Sequence, residues 1–559
     1  MLKKFNRFYV LFFILLVLNI GMVLFHYGQK DGFHIDEIFS FGHANSTQGA
    51  FLAPTVESHF YEKDVSVLYN QWFDGKVFHN YITVQPEEQF RYGHIFENLK
   101  KSTHPPLYYM LLHTVCSFFP EQFSKWFGAG VNIALWVALL IMLFKLAELL
   151  LEDEFLAMMA VTFYAFSEAG IDTVLYIRMY ILQTLFAVCL LYEIVKMLKE
   201  NEADNKRLFL IFLYSSLGML TQYSSLVFSF LAAGTGGGIL FLRRNWNLLF
   251  RYAVVMAFSP LVLFVLFPTA WNVLLYSARG EELIRKITPS STMVDTLAND
   301  TMQSRIWEML WQVDLWLNQM FYSGMWRVYM QQLLSFSYLP LWFVLLFLGI
   351  CVKWKRADAT VWYILINCVL MSAFLNGYMP PMYEFSVRYY MLLLPLVSVL
   401  TVYFLKGLLV CFELSSKRVY VLLGVFVLAN SLLVDFGKKS AFTFNYDANT
   451  ERFLEEVKQR DVVVFTETSF MYLELVAALY DSHQILLADK SCKKDYAEDI
   501  REHKGAYVLF FNADARRCVS CAPKYKTSIC QTLRKELQYK FLVRVGERYY
   551  DVYEVLNEV

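Results

Sequence analysis

The feature that most constrains this chain is a series of long apolar runs separated by short basic clusters. A helix crosses bilayer hydrocarbon with ~20 apolar residues. Eleven stretches approach that length: residues 8–26, 127–150, 155–169, 174–197, 208–223, 226–242, 248–267, 333–352, 360–375, 390–412 and 419–434. Hydrophobic residues make up 57% of the chain and charged residues only 18%, a balance that excludes an ordinary soluble protein. The sequence predicts a polytopic α-helical membrane protein. Formal net charge is +0, so no nucleic-acid partner is indicated. The start, with Lys3, Lys4 and Arg7 before an apolar run, is like a signal peptide. No small-residue cleavage site follows, so the run is read as an uncleaved first span.

Orientation follows from Lys and Arg in short loops. With Lys3, Lys4 and Arg7 inside, four further clusters also fall inside. They are Lys196, Lys199, Lys206 and Arg207; Arg243, Arg244 and Arg251; Lys353, Lys355 and Arg356; and Lys417 with Arg418. The outer segments are then 27–126, 166–173, a turn near Ser224, 268–332, 376–388 and everything after Asp435. The apolar stretch from Pro105 to Phe119 would reverse that parity if it spanned. It is read instead as an interfacial or re-entrant helix, with Pro105 and Pro106 suiting its start. The N-terminus is therefore expected in the cytoplasm and the C-terminal domain outside it, in a bacterial plasma membrane.

The expected organisation is a membrane module over 1–435 and an α/β domain over 436–559. Within the module, 28–126 forms a long structured first outer loop and 268–332 a second. An amphipathic helix is expected around Arg305 to Met325. Its Trp307, Trp311 and Trp316, with Trp326 just beyond, suit the headgroup region as a brace or a lid. In the C-terminal part, 461–465 and 506–511 read as buried strands, 471–480 and 496–503 as helices, and 541–555 as a hairpin. Cys116, Cys189, Cys351, Cys368 and Cys411 lie in apolar segments and read as small buried hydrophobes. Cys492, Cys518, Cys521 and Cys530 leave three readings open: disulfides, free thiols or a zinc site.

Four stretches on the predicted outer face could carry chemistry. His34-Ile35-Asp36-Glu37 follows the first span, and carboxylates at the hydrocarbon edge need water, a cation or a reacting group. Asp36 is the expected general base. Glu37 is a second catalytic candidate that binds a cation or braces the loop, and His34 is a local support. A divalent metal ion, if one is used, would fall to Asp36 or Glu37. His104-Pro105-Pro106-Leu107-Tyr108 places a histidine before a helix start, as a phosphate donor or a cap, with Tyr108 in support. Tyr176-Ile177-Arg178-Met179-Tyr180 brings Arg178 to the outer end of a span. There it meets an anion or pairs with Glu168 or Asp172. Glu384 to Tyr390 places Arg388 similarly, as a second phosphate contact or a snorkelling cation.

With Asp36-Glu37 after the first span, His104-Pro105-Pro106-Leu107-Tyr108-Tyr109 late in the first loop and Arg178-Met179-Tyr180 opening a later span, the chain resembles GT-C glycosyltransferases. The likeness is to the bacterial branch related to protein O-mannosyltransferases and the lipid A aminoarabinose transferase, and it covers roughly residues 1–435. It implies a GT-C-like fold and inverting transfer, with or without metal, of a monosaccharide from a polyprenyl-phosphate donor. The residue matching the catalytic acid is Asp36, and Arg178, Tyr180, His104 and Arg388 become candidates for the donor phosphate. Relatives carry Glu-Ala directly before Arg-Met-Tyr; here those positions are Tyr176-Ile177, and Glu168-Ala169 lies earlier. The acceptor would be a glycan, lipid or protein of the cell envelope. Two other classes stand beside this one. A lipid flippase or transporter would show ionisable groups in mid-span and paired broken helices. A non-catalytic scaffold would tolerate loss of Asp36, His104 and Arg178.

Overall fold

The computed structural model describes residues 7–49, 52, 68–100, 102, 104–276, 358–378, 388–411, 415–437, 440–466, 471–489, 496–512, 529, 531–533, 535–546 and 548–556. The expected span at 333–352, the amphipathic helix around Arg305 with its tryptophans, Glu384, Cys351 and Cys492, Cys518, Cys521 and Cys530 lie outside the described residues.

In chain order the helices are α1 (Arg7–Gly28), α2 (Ile35–Asn45), α3 (Lys76–Ile82), α4 (Gly93–Leu99), α5 (Leu107–Cys116), α6 (Lys125–Leu151), α7 (Glu154–Ala165), α8 (Glu168–Leu175), α9 (Tyr180–Glu200) and α10 (Asn205–Met219). They continue with α11 (Ser224–Leu242), α12 (Trp246–Leu266), α13 (Thr269–Tyr276), α14 (Ala359–Tyr378), α15 (Leu394–Cys411), α16 (Ser416–Gly437), α17 (Ala448–Glu456), α18 (Val476–Leu479) and α19 (Tyr496–Glu502). Six strands are present among the described residues: β1 (Trp72–Asp74), β2 (Val462–Thr466), β3 (Gln484–Asp489), β4 (Tyr507–Phe511), β5 (Leu537–Val545) and β6 (Arg548–Val555). The chain divides into two compact units, one of residues 1–25 and 132–440, the other of 26–131 and 441–559.

The first unit is helical. Among the described residues, five helices are long and apolar enough to cross a membrane, namely α1, α6, α9, α11 and α12. The pair α7 and α8, bent by 63°, makes a sixth if taken as one broken span. The chain is a multi-pass membrane protein. The eleven expected spans are thus not all matched by length: α10 has 15 residues, and α14 and α15 are apolar over shorter stretches. The expected helix over 174–197 is also interrupted. Ser167 caps α8 by accepting from the Gly170 N–H at 3.1 Å, α8 ends at Leu175, and α9 begins only at Tyr180.

Broken helices leave backbone carbonyls without intrahelical partners, and hydrocarbon offers none. Buried asparagines supply them. Asn19 Nδ2 donates to the Ala165 carbonyl at 2.8 Å, at the end of α7, while its Oδ1 accepts from Trp136 Nε1 at 2.7 Å. Asn132 Nδ2 donates to the carbonyls of Val174 and Tyr176, both at 2.9 Å. Gly170 is required here, because a Cβ would lie 2.3 Å from the Tyr164 carbonyl oxygen.

The second unit is built on one six-stranded sheet of order β1-β3-β2-β4-β6-β5. Strands β3, β2 and β4 are parallel, and the β5–β6 pair is the expected terminal hairpin. One face is a core of Val463, Phe465, Leu486, Val508, Phe510, Tyr496 and Ile500. Strand β1 comes from the segment between α2 and α3 and pairs antiparallel with β3, Trp72 facing Leu486. Cys116, Cys189 and Cys368 are free and buried, as expected of small apolar side chains.

Candidate functional site

Helix α2 starts with a reciprocal cap. His34 Nδ1 accepts from the Asp36 backbone N–H at 3.0 Å, and the Glu37 carboxylate accepts from the His34 N–H at 2.8 Å. An accepting Nδ1 carries no proton. The 3.8 Å approach of that nitrogen to the Asp36 carboxylate is therefore not an ion pair in this tautomer. The two neighbouring carboxylates have different settings. Glu37 is fully buried and paired with the equally buried Lys30 at 2.9 Å. Asp36 keeps 18% of its side-chain surface exposed.

Lys30 is a site residue that the motifs alone do not single out. Its signal in the sequence is a lysine lying across the first span from the basic N-terminus. Besides Glu37, its ammonium donates to the Phe442 carbonyl at 2.5 Å and sits 5.3 Å from the centre of the Phe444 ring. Removing two charges from water is costly and is offset only by good geometry and further hydrogen bonds. Both are present.

Behind the cap, α2 carries a buried polar network. His43 Nε2 meets Ser102 Oγ at 3.0 Å, and Asn98 Nδ2 donates to the carbonyls of His43 and Ser46. Asn45 Nδ2 donates to the Ile82 carbonyl at 2.9 Å, which turns its Oδ1 toward His113 Nδ1 at 3.3 Å. His94 Nε2 donates to the Ala44 carbonyl at 2.9 Å, and its ring lies 4.9 Å from that of His113. Burial holds His94 below the usual imidazole range. Burial, reinforced by His94, pushes His113 down to about 4. These rings are neutral and hold the helix in place. Gly42 allows α2 to lie against Tyr81, whose ring a Cβ would meet at 2.0 Å.

His104 precedes α5, its ring 6.4 Å from that of Tyr109, and Tyr108 is fully buried. Helix α5 begins after both prolines, with Pro106 as its cap residue. The structure thus gathers His34, Asp36, Glu37, His104 and Tyr108 into one unit.

In the other unit, Arg178 lies in the turn between α8 and α9 and is 3% exposed. It does not enter the span, because the helix starts two residues later. Asn132 holds the carbonyls on its N-terminal side. Tyr176 stacks on Tyr180 at 5.9 Å, and Tyr180 meets Tyr389 edge-on at 6.0 Å. Arg388 lies over the Tyr389 ring at 5.2 Å. The tyrosines therefore bring the Arg178 and Arg388 segments together. Glu168 and Asp172 are buried in α8, and Asp172 accepts a short hydrogen bond from Ser440 Oγ.

Among the described residues no group of three or more His, Cys, Asp and Glu side chains is placed to hold a metal ion. Glu37 engages Lys30 and the His34 N–H through one carboxylate oxygen, Oε2.

No family model matches the chain, and no curated protein matches its sequence. Among solved structures it is similar to ArnT from Cupriavidus metallidurans in the apo state, with TM-score 0.50 and 9% identity over 96% of this chain and 97% of that one. The same protein bound to undecaprenyl phosphate gives TM-score 0.49 at 9% identity, covering 97% and 98%. The Archaeoglobus fulgidus oligosaccharyltransferase gives 0.42 at 11% identity, covering 88% and 69%. The chain therefore has, along nearly its whole length, the fold of ArnT from Cupriavidus metallidurans, which is the GT-C fold that its motifs led us to expect.

Proposed function

We propose that this protein is a GT-C glycosyltransferase that moves a monosaccharide from a polyprenyl-phosphate donor to an acceptor hydroxyl at the extracytoplasmic face. The observation that carries the reading is the asymmetry of the Asp36-Glu37 pair. One carboxylate is neutralised in a buried ion pair, and its neighbour is presented, partly exposed, on the first turn of a capped helix. A base must reach its substrate, and its helix must not move.

In this mechanism the acceptor oxygen attacks the anomeric carbon from the face opposite the lipid phosphate. Its proton passes to the Asp36 carboxylate. The bond between the anomeric carbon and the phosphate oxygen breaks with inversion, and polyprenyl phosphate leaves with the bonding pair. Arg178 takes the phosphate charge, and its position just before the N-terminus of α9 adds favourable helix dipoles. Arg388, Tyr180 and His104 are further candidates for phosphate contact, and Tyr108 supports the loop. The basic clusters support a cytoplasmic N-terminus and an extracytoplasmic second unit, in a bacterial plasma membrane.

The test is sugar transfer in membranes from a panel of radiolabelled polyprenyl-phosphate monosaccharides, with wild type beside Asp36→Asn. Label reaching a new product with wild type alone supports the reading and identifies the donor. Equal transfer by Asp36→Asn removes the base assignment. No transfer from any donor, with lipid-phosphate binding intact, moves the weight to a flippase or scaffold.

A further inference from the structure

A segment far along the chain wraps the residues just before α2. The Asp31 N–H donates to the Thr443 carbonyl at 3.0 Å, and the Tyr446 N–H donates to Asp31 Oδ2 at 3.1 Å. The Phe442 carbonyl accepts from Lys30 Nζ, the partner of Glu37. The His34 ring lies 6.4 Å from Phe442 and 6.3 Å from Phe444. The approach is so close that a Cβ on Gly32 would meet Phe444 Cβ and the Tyr446 hydroxyl, both at 2.9 Å. Phe444 itself sits at φ 47°, in the left-handed region that a bulky residue avoids. A strained conformation persists only where its surroundings over-determine it, and such residues cluster at functional sites.

These contacts converge on the groups that fix the α2 cap. Lys30 orients Glu37, Glu37 binds the His34 N–H, and His34 Nδ1 binds the N–H of Asp36. We propose that residues 442–446 form a clasp that positions Asp36, with Gly32, Asp31, Lys30 and Phe444 as positioning residues. The segment that opens the C-terminal part of the chain is then part of the frame of the site. This inference rests on the reading of Asp36 as the base and adds to it a role for the segment after the membrane helices.

The test uses the full chain in lipid nanodiscs. Gly32→Ala forces the clasp away without altering any ionisable group. It should lower kcat at least about tenfold, with the donor KM within about twofold of wild type. Amide exchange in the first turn of α2 should rise about tenfold, while exchange in β2 and β4 stays unchanged. Glycine tolerates φ 47° and lacks the Cβ that clashes, and Tyr446→Ala removes the hydroxyl and ring carbon that a Gly32 Cβ would also meet, so the Gly32→Ala effect should shrink to about twofold on a Phe444→Gly, Tyr446→Ala background. Asp31→Ala is a milder probe at an exposed residue and should move both readouts in the same direction by about threefold.

Normal kcat and normal α2 exchange in Gly32→Ala would overturn the clasp. So would a Gly32→Ala loss that is undiminished on the Phe444→Gly, Tyr446→Ala background. If Gly32→Ala does not fold, unchanged exchange in Asp31→Ala overturns the clasp in its place. The two ideas fail separately. Full transfer by Asp36→Asn refutes the base, while the exchange data still decide whether the clasp holds α2.

Discussion

Asn132→Leu is the sharpest probe of the Arg178 turn. Asn132 is completely buried and donates at 2.9 Å to two carbonyls, Val174 and Tyr176. Leucine keeps the volume and removes both bonds. The Tyr176 oxygen also accepts from the Arg178 N–H at 2.7 Å, so the Asn132 amide and the Arg178 backbone meet on one carbonyl. Each hydrogen bond lost costs about 0.5–1.5 kcal/mol net, so the substitution should destabilise by about 1–3 kcal/mol. If the turn relaxes and Arg178 loses one charge-assisted bond to a phosphate, about 1.5–3 kcal/mol of binding goes with it, a ~10–100-fold rise in Kd. The assay is polyprenyl-phosphate binding in nanodiscs, with thermal unfolding measured in parallel. Asn19→Leu is the control, because it removes the corresponding bond at the end of α7. It should lower Tm similarly and leave the phosphate Kd unchanged. Wild-type phosphate affinity in a destabilised Asn132→Leu protein would refute the argument that this asparagine holds the Arg178 turn.

Four further outcomes follow from the same geometry. Asp36→Asn should lower transfer by ~10²-fold or more, the usual contribution of a positioned base, with donor binding retained in an equilibrium assay. Lys30→Met strands the Glu37 carboxylate and should destabilise by about 3–5 kcal/mol. Adding Glu37→Leu should recover much of that loss, measured by urea or thermal unfolding. His113, held low at about 4, is neutral when folded and titrates near the ordinary imidazole value when unfolded. The unfolded chain therefore binds more protons between about pH 6.5 and 4, and stability falls as pH drops through that window; His113→Gln should flatten this part of the pH–stability curve. Burial works to raise the Asp461 carboxyl, but hydrogen bonds from His503 and His483 at 2.7 Å hold it below the usual range. Its contribution is present above the unfolded carboxylate value and is lost as pH falls through its lowered value, so Asp461→Asn should reduce the loss of unfolding Tm at the acid end.

The parts of this molecule legible in its sequence are those that depend on local pattern. Apolar runs, the basic clusters and the valine-rich 462–464 of β2 each advertise their element without reference to anything distant. Strand β3 is hidden because Ile485-Leu486-Leu487-Ala488 is a short apolar run that suits either helix or strand. Strand β1 is hidden for another reason: three residues of a loop become a strand only through a partner at 484–486. The site divides in the same way. Asp36 stands out because carboxylates at a membrane edge need an explanation. The distinct settings of Asp36 and Glu37 do not, since they depend on Lys30 and on the Phe442 carbonyl, 412 residues from Lys30. The break before Arg178 is likewise set by Asn132, one polar residue within an otherwise apolar stretch of α6.

The pairing of Trp72–Asp74 with β3 also dictates an order of assembly. At about 5–20 residues per second, the ribosome needs roughly 20–80 s to travel from residue 74 to residue 486. Throughout that time the first loop has been made and its sheet has not. The membrane helices must be inserted and the last stretch delivered to the same side before Trp72 finds Leu486. Chains that stall or end within the membrane helices would leave an aromatic-rich loop without its sheet, recognisable by quality-control proteases as unfinished.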